Sequence, residues 1–554
     1  MIKRILPVLI LCCISMLSRA QYTVSVTFQH AFTKAQVDSI LVANVGQVAN
    51  GILQTHYPVR IYKVVYNTFD ADSNPTTATG QLVVPQQTPC EVPIVSFQHN
   101  DIVRKRDAPS TYGFASQWFV GAAAASLGYI TCLPDGLGLG TGPGFHPYLH
   151  AQSEATSVID FIRATKEFVD STGGSPNEQL FLAGAGEGAY ASLAAHQMIQ
   201  AHLDSIMHVT ATGGIGGYYD MSGTMFQRIV SDSTYVDPSF LPNLLLGYNS
   251  AYHFFANDSD VMAYPYDSII PPLFNGNNSG YGIDTRLPAV PKNVLAQAFL
   301  DTLLADSTTA FRLLLKKNDL YNWSPTSPVK LFYCIADEYV PYQHSIVAYE
   351  HFVANGSTMI DTLDVGATLN HSQCGLFSTL SAISLVGSLV HQPIAGHIVV
   401  TNNTSSTTPN GSVTAVDTLG DGAYTWHWST GDSTATVTGL AAGTYHVTVT
   451  DQAHCTRVDS ATVQFVNGIN ELTLANINVY PNPTQGILII DNKNTTEKLT
   501  QIEVLDISGH VIDAPIKQNG SMTQLDLGAE AKGVYFLHLR SESGKELHRK
   551  VVLL

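Results

Sequence analysis

The chain has 554 residues, 45% of them apolar and only 13% charged, which allows large cores and is too long for one ordinary domain. Its formal charge of −17 repels phosphate backbones and anionic lipid heads, and so argues against nucleic acid as a partner.

In chain order, "MIKRILPVLILCCISMLSRAQ" has a basic start, an apolar run and a small-x-small ending at Ser18-Arg19-Ala20. It reads as a secretory signal peptide over 1–20, cleaved before Gln21. The run is too short to span a bilayer, and no later segment reads as long and apolar enough, so no transmembrane segment is expected in the mature chain. Export removes Cys12 and Cys13. The five remaining cysteines are an odd number, so at least one is free or intermolecular.

Residues 21–391 alternate short apolar runs with helical patterns. "RIYKVVYNTF" and "GQLVVP" read as paired strands, and "PIVSFQH", "GYITCLPD", "QLFLAG" and "VKLFYCIAD" as strands of strand–helix units. Over 153–170, Ala155, Val158, Ile159, Ile162 and Val169 share one helical face. The fold class is α/β: a mostly parallel sheet with helices on both faces. The stretch of about 214–326 is too long for a simple connection and reads as a helical cap over the strand ends.

"PIVSFQHND" ends a strand at Asn100, where a hydrolase would place an oxyanion donor. "PDGLGLGTGPGFHPYLH" lacks both G-x-G-x-x-G and a phosphate-loop lysine, so no nucleotide cofactor is expected. Its His146 and His150 have no glutamate in H-E-x-x-H spacing, which favours packing or surface histidines over metal ligands. No metal and no cofactor are assigned.

"EQLFLAGAGEGAYASLAAH" reads as strand, tight turn and helix. Gly184 and Gly188 stand at the outer positions of G-x-S-x-G, but Gly186 occupies the nucleophile position. Glycine relieves the positive-φ strain of such an elbow and cannot attack anything. Glu187 N–H would be the second oxyanion donor. Asp337, just past "VKLFYCIAD", and His371, in "TLNHSQCGLF", follow in the order acid then base. If those two are hydrogen-bonded, Cys334 and Cys374 come within range of a disulfide.

From about 57 to 391 these stretches resemble exported α/β-hydrolases of the secretory lipase and esterase kind. The resemblance implies serine at position 186, commonly an aromatic at 136, and glycine at 100, where this chain has Gly186, Gly136 and Asn100. Residues 394–466, with Tyr424, Trp426, Trp428 and Tyr445 in alternation, resemble a short immunoglobulin-like repeat whose aromatics are expected in its core. Residues 467–554, with "NVYPNPTQGILIIDN", "EVLDISGHVI" and "GVYFLHL", resemble a type A sorting domain of the type IX secretion system. That resemblance implies a bacterium of the Bacteroidota, the secretion machinery as partner, and release or attachment at the cell surface. Both C-terminal parts are expected to be small β-sandwiches. The leading expectation is a hydrolase-fold protein with absent or severely reduced ester cleavage, holding a small ester, lipid or peptide under its cap. The alternatives are an active esterase using a displaced nucleophile or water activated by His371 and Asp337, and a non-catalytic surface adhesion protein.

Overall fold

Strands covered on both faces cannot alternate polar and apolar residues, and the central strands here are apolar at consecutive positions. The strands are β1 (Thr23–Phe32), β2 (Val59–Phe69), β3 (Pro75–Pro85), β4 (Val92–Gln98), β5 (Ile130–Pro134), β6 (Pro176–Ala185), β7 (Ala211–Ile215), β8 (Val329–Tyr333) and β9 (Ile360–Asp364). They form one sheet in the order β1-β2-β3-β5-β4-β6-β7-β8-β9. The β1 to β3 edge and the β3–β5 pair are antiparallel, and the pairs from β5 to β9 are parallel. The computed structural model describes residues 21–554 except 47–52, 54, 89, 112–117, 173–175, 391–393, 419, 421, 467–476, 494–497 and 543. The leader assigned to 1–20 lies outside the described residues.

Neighbours along a strand point to opposite faces. Leu82, Cys132, Leu182 and Leu331 therefore join one core with Phe161 and Tyr190, while Val83, Leu133, Ala183 and Phe332 join another with Leu41 and Val120. Helices α1 (Lys34–Val45), α2 (Trp118–Ser126) and α6 (His371–Leu389) cover the second face, and α3 (Ala151–Ser171), α4 (Glu187–His202) and α5 (Gln343–Ala354) the first. Ala155, Val158, Ile159, Ile162 and Val169 of α3 are all buried.

One expectation needs correction. By length and composition α6 is long and apolar enough to cross a membrane, although no later segment was expected to be. It packs one face against β6, β7 and β8, and Leu376, Leu380 and Ile383 line a cavity.

Between β7 and β8 run short helices, among them Phe226–Val230, Phe240–Tyr252, Tyr266–Leu273 and Gln297–Ala305. Phe240 anchors them, its ring 5.1 Å from Tyr218, 5.7 Å from Tyr148 and 6.3 Å from Tyr235.

The chain divides into two units: residues up to Ile394 with 419–423 and 451–456, and the remaining C-terminal residues. The second unit holds four small sheets and no helix among its described residues. In its last part Leu488, Ile490, Leu525, Leu537, Leu539 and Val551 form one core. Of the repeat's aromatics only Trp428 is fully buried. Trp426, two residues earlier on the same face of the strand, is half-buried and donates to Asp417.

Candidate active site

The elbow forms because β6 must turn into α4 within one residue. Gly186 takes φ 55° and donates its N–H to Ile215 O at 2.9 Å. A Cβ at Gly184 would run into the Gly188 backbone, and one at Gly188 into the carbonyl oxygens of Gln98 and His99. The two outer glycines thus permit the close approach of β6, α4 and the end of β4.

Asp337 and His371 come together opposite this turn. Asp337 Oδ1 accepts from the N–H groups of Tyr339 and Val340 at 2.9 Å, which fixes the carboxylate. His371 Nδ1 lies 3.0 Å from both carboxylate oxygens. Burial opposes charge on the imidazole, but the hydrogen bond and charge of Asp337, with Asp101 and Glu338 adding, hold its pKa above the ordinary value. Asn370 caps α6 by accepting from Gln373 N, which sets His371 at the first helical position. Cys334 and Cys374 are disulfide-bonded, so the loop carrying the acid is tied to the helix carrying the base. Cys90 is bonded to Cys455, and Cys132 is free and buried among the described residues.

The space in front of Gly186 is filled. A Cβ on residue 186 would overlap Asn100 Oδ1 and Asp101 Oδ2. The Asn100 side-chain amide donates to His371 Nε2 at 3.2 Å, in the position a serine hydroxyl would take. Among the described residues no serine or threonine hydroxyl is hydrogen-bonded to His371.

The oxyanion side differs from expectation. Glu187 N–H donates to Asp101 Oδ2 at 3.2 Å, so a carboxylate sits where a substrate oxyanion would be stabilised. Tyr148 O–H donates to the other Asp101 oxygen and holds it there. Asn100 contributes its side chain to the site, facing the base. Asp101 and Tyr148 were not singled out from the sequence; an acid directly after Asn100 was the available signal.

The space that opens onto the pair is apolar. A cavity of about 400 Å³ reaches Asn100, Gly186, Asp337 and His371. Its apolar walls include Leu41 and Val45 of α1, Phe119 and Val120 of α2, and Leu380 and Ile383 of α6. No described residue of the 221–317 helices lines it. This space lies between α1, α2 and α6, and a separate cavity of about 340 Å³ lies against Asn243 and Phe274 of the 221–317 segment, away from His371.

Of the two loop histidines, His150 bonds Ser153 Oγ at 2.7 Å, and burial pushes its pKa down to about 4, as suits a packed neutral ring. His146 is different: its Nε2 lies 2.5 Å from Glu187 Oε1.

The sheet order, the glycine elbow and the Asp337–His371 pair define an α/β-hydrolase fold. Solved structures agree. A putative hydrolase of Legionella pneumophila subsp. pneumophila is 25% identical with a TM-score of 0.62, over 66% of this chain and 98% of its own. The rice cell wall degrading esterase LipA of Xanthomonas oryzae is 24% identical with a TM-score of 0.57, over 67% of this chain and 98% of its own. Residues 478–553 match the secretion system C-terminal sorting domain. None of the curated proteins compared with the chain matches it. The protein is therefore an exported α/β-hydrolase-fold protein, secreted or attached at the outer surface, with its C-terminal sorting domain addressed to the secretion machinery.

Proposed function

We propose that residues 21–391 form a domain of lipase and esterase descent that binds a small apolar ligand beside His371 without cleaving esters. The observation that carries this is the occupation of both catalytic positions. The Asn100 amide stands where a serine hydroxyl would meet His371, and the Asp101 carboxylate covers the Glu187 N–H. Loss of the serine alone lowers turnover on the order of 10⁶-fold, and a carboxylate beside a developing oxyanion opposes the charge instead of stabilising it. The leader 1–20 directs export in a bacterium of the Bacteroidota, 394–466 is an immunoglobulin-like spacer, and 467–554 passes the chain through the type IX system.

The test is a pair of measurements on the mature chain. Short-chain aryl ester hydrolysis should equal that of the His371→Ala variant, and N-phenyl-1-naphthylamine should bind with saturable fluorescence. Turnover that disappears in His371→Ala would overturn the reading. A second reading is favoured by the intact Asp337–His371 pair: slow hydrolysis through water activated by the imidazole. It predicts that same His371-dependent turnover.

A further inference from the structure

Behind the elbow lies a polar cluster that the site chemistry leaves unused. The Glu187 side chain meets His146 Nε2 through Oε1. Glu154, in the first turn of α3, joins them, and one ligand-capable atom of each residue lies within 4.8 Å of the other two. His146 is 8% exposed, Glu154 6% and Glu187 2%. Glu154 Oε1 and Glu187 Oε2 are buried with no hydrogen-bond partner. Two carboxyl groups withdrawn from water and facing each other must share a proton or take a neutralising ligand. His146 Nδ1 is 2.9 Å from Leu137 O and must donate to it, so the ring is oriented with Nε2 towards the carboxyl groups. A carbonyl behind the far nitrogen is the arrangement that orients a metal-ligating imidazole.

We propose that His146, Glu154 and Glu187 bind one divalent transition-metal ion of the Zn²⁺ class. Two carboxylates neutralise its charge, and a mixed set of one imidazole and two carboxylates suits Zn²⁺ better than Ca²⁺, which takes about six to eight oxygens. Three protein ligands leave a fourth tetrahedral position for water. Ligand bonds of about 2.0–2.2 Å would separate donor atoms by roughly 3.4 Å, so the His146–Glu187 contact opens by less than an ångström on binding. Two cavities flank the cluster, one lined by Lys105, Phe145 and His146 and the other by Gly136, Glu154 and Glu187. The ligands come from three separate elements: the loop after β5, α3, and the first residue of α4. The ion would tie the elbow to α3 and fix Glu187 whether or not the cavity at His371 binds a ligand, so the inference stands apart from the proposed function.

His538, half-buried, with the exposed Glu546 and His548 in the C-terminal sheet, is a second group at similar spacing. The experiment therefore uses the mature chain carrying His548→Ala. The protein is stripped with EDTA, titrated with zinc chloride and dialysed, and zinc content and melting temperature are measured. One retained zinc per chain, a melting temperature raised by about 3 °C or more, and at least tenfold less retained zinc in Glu154→Gln are expected. If Glu154→Gln fails to fold, X-ray absorption of the zinc-loaded protein decides. Nitrogen and oxygen neighbours at about 2.0–2.1 Å with an imidazole signature support the site, and their absence overturns it. A protein that retains no zinc and melts identically with and without it holds a proton-sharing cluster only, and the proposal falls.

Discussion

Gly186→Ser, taken alone, is expected to leave the protein inactive. A side chain at φ 55° costs about 1–3 kcal/mol in backbone strain. The new Cβ must also displace Asn100 and Asp101, breaking the Asn100 hydrogen bond to His371 and the two hydrogen bonds on the Asp101 carboxylate. At about 1 kcal/mol for a neutral bond and about 1.5–3 for each of the two to a charged group, the single variant loses roughly 5–10 kcal/mol of stability in all. Even where it folds, the displaced Asp101 carboxylate remains in the site and opposes a developing oxyanion. The triple variant Gly186→Ser, Asn100→Gly, Asp101→Ala vacates both positions. Recovering one oxyanion donor is worth about 10²–10³ in rate, so the triple variant should exceed the single by at least about 10² in kcat/KM on a short-chain aryl ester. Adding His371→Ala to the triple should abolish the gain. A single Gly186→Ser variant as active as the triple would refute the claim that Asn100 and Asp101 occlude the site.

Gly375 of α6 lines the cavity, and a Cβ there meets nothing within 4 Å. Gly375→Leu should hold or raise stability by about 0.5–1 kcal/mol while abolishing N-phenyl-1-naphthylamine binding, as thermal melts and fluorescence titration would show. The Cys334–Cys374 bond closes a separation of 40 residues, so Cys334→Ala with Cys374→Ala should lower stability by about 4 kcal/mol in denaturant titration. Because the fold raises the His371 pKa, its proton stabilises the native state fully below the ordinary histidine value and less as pH rises through the folded value. The stability difference between the parent and His371→Gln should therefore be largest near about pH 5 and close towards about pH 9. Burial and the charge of Asp284 push the Asp237 carboxyl up to about 7, so its ionisation costs stability as pH climbs from the carboxylate range to neutrality. Asp237→Asn should melt above the parent at about pH 8 and with it at about pH 4.

Much of this protein was legible before any coordinates. Consecutive apolar residues in "QLFLAG" and "VKLFYCIAD" announce strands covered on both faces, and the glycine spacing of 184, 186 and 188 announces the turn, because both are local consequences of packing and backbone sterics. Asp337 and His371 could be placed by their positions after successive strands. Asp101 could not: its role depends on an N–H 86 residues away in sequence, and a carboxylate after Asn100 reads equally as a loop acid. The same limit hid Glu154 and Glu187 behind His146, since their spacing follows no single helix face.

The sequence by itself determined the α/β-hydrolase scaffold, the sorting tail and the absence of a nucleophile on residue 186. Only the tertiary structure decided what fills the space in front of Gly186, and where the cavity lies. It also decided that α6, apolar enough for a bilayer, lays one face on β6, β7 and β8 and lines the cavity with Leu376, Leu380 and Ile383. The physical reason is that periodicity records which face of an element is buried, whereas the partner that buries it is chosen by contacts between segments far apart in the chain.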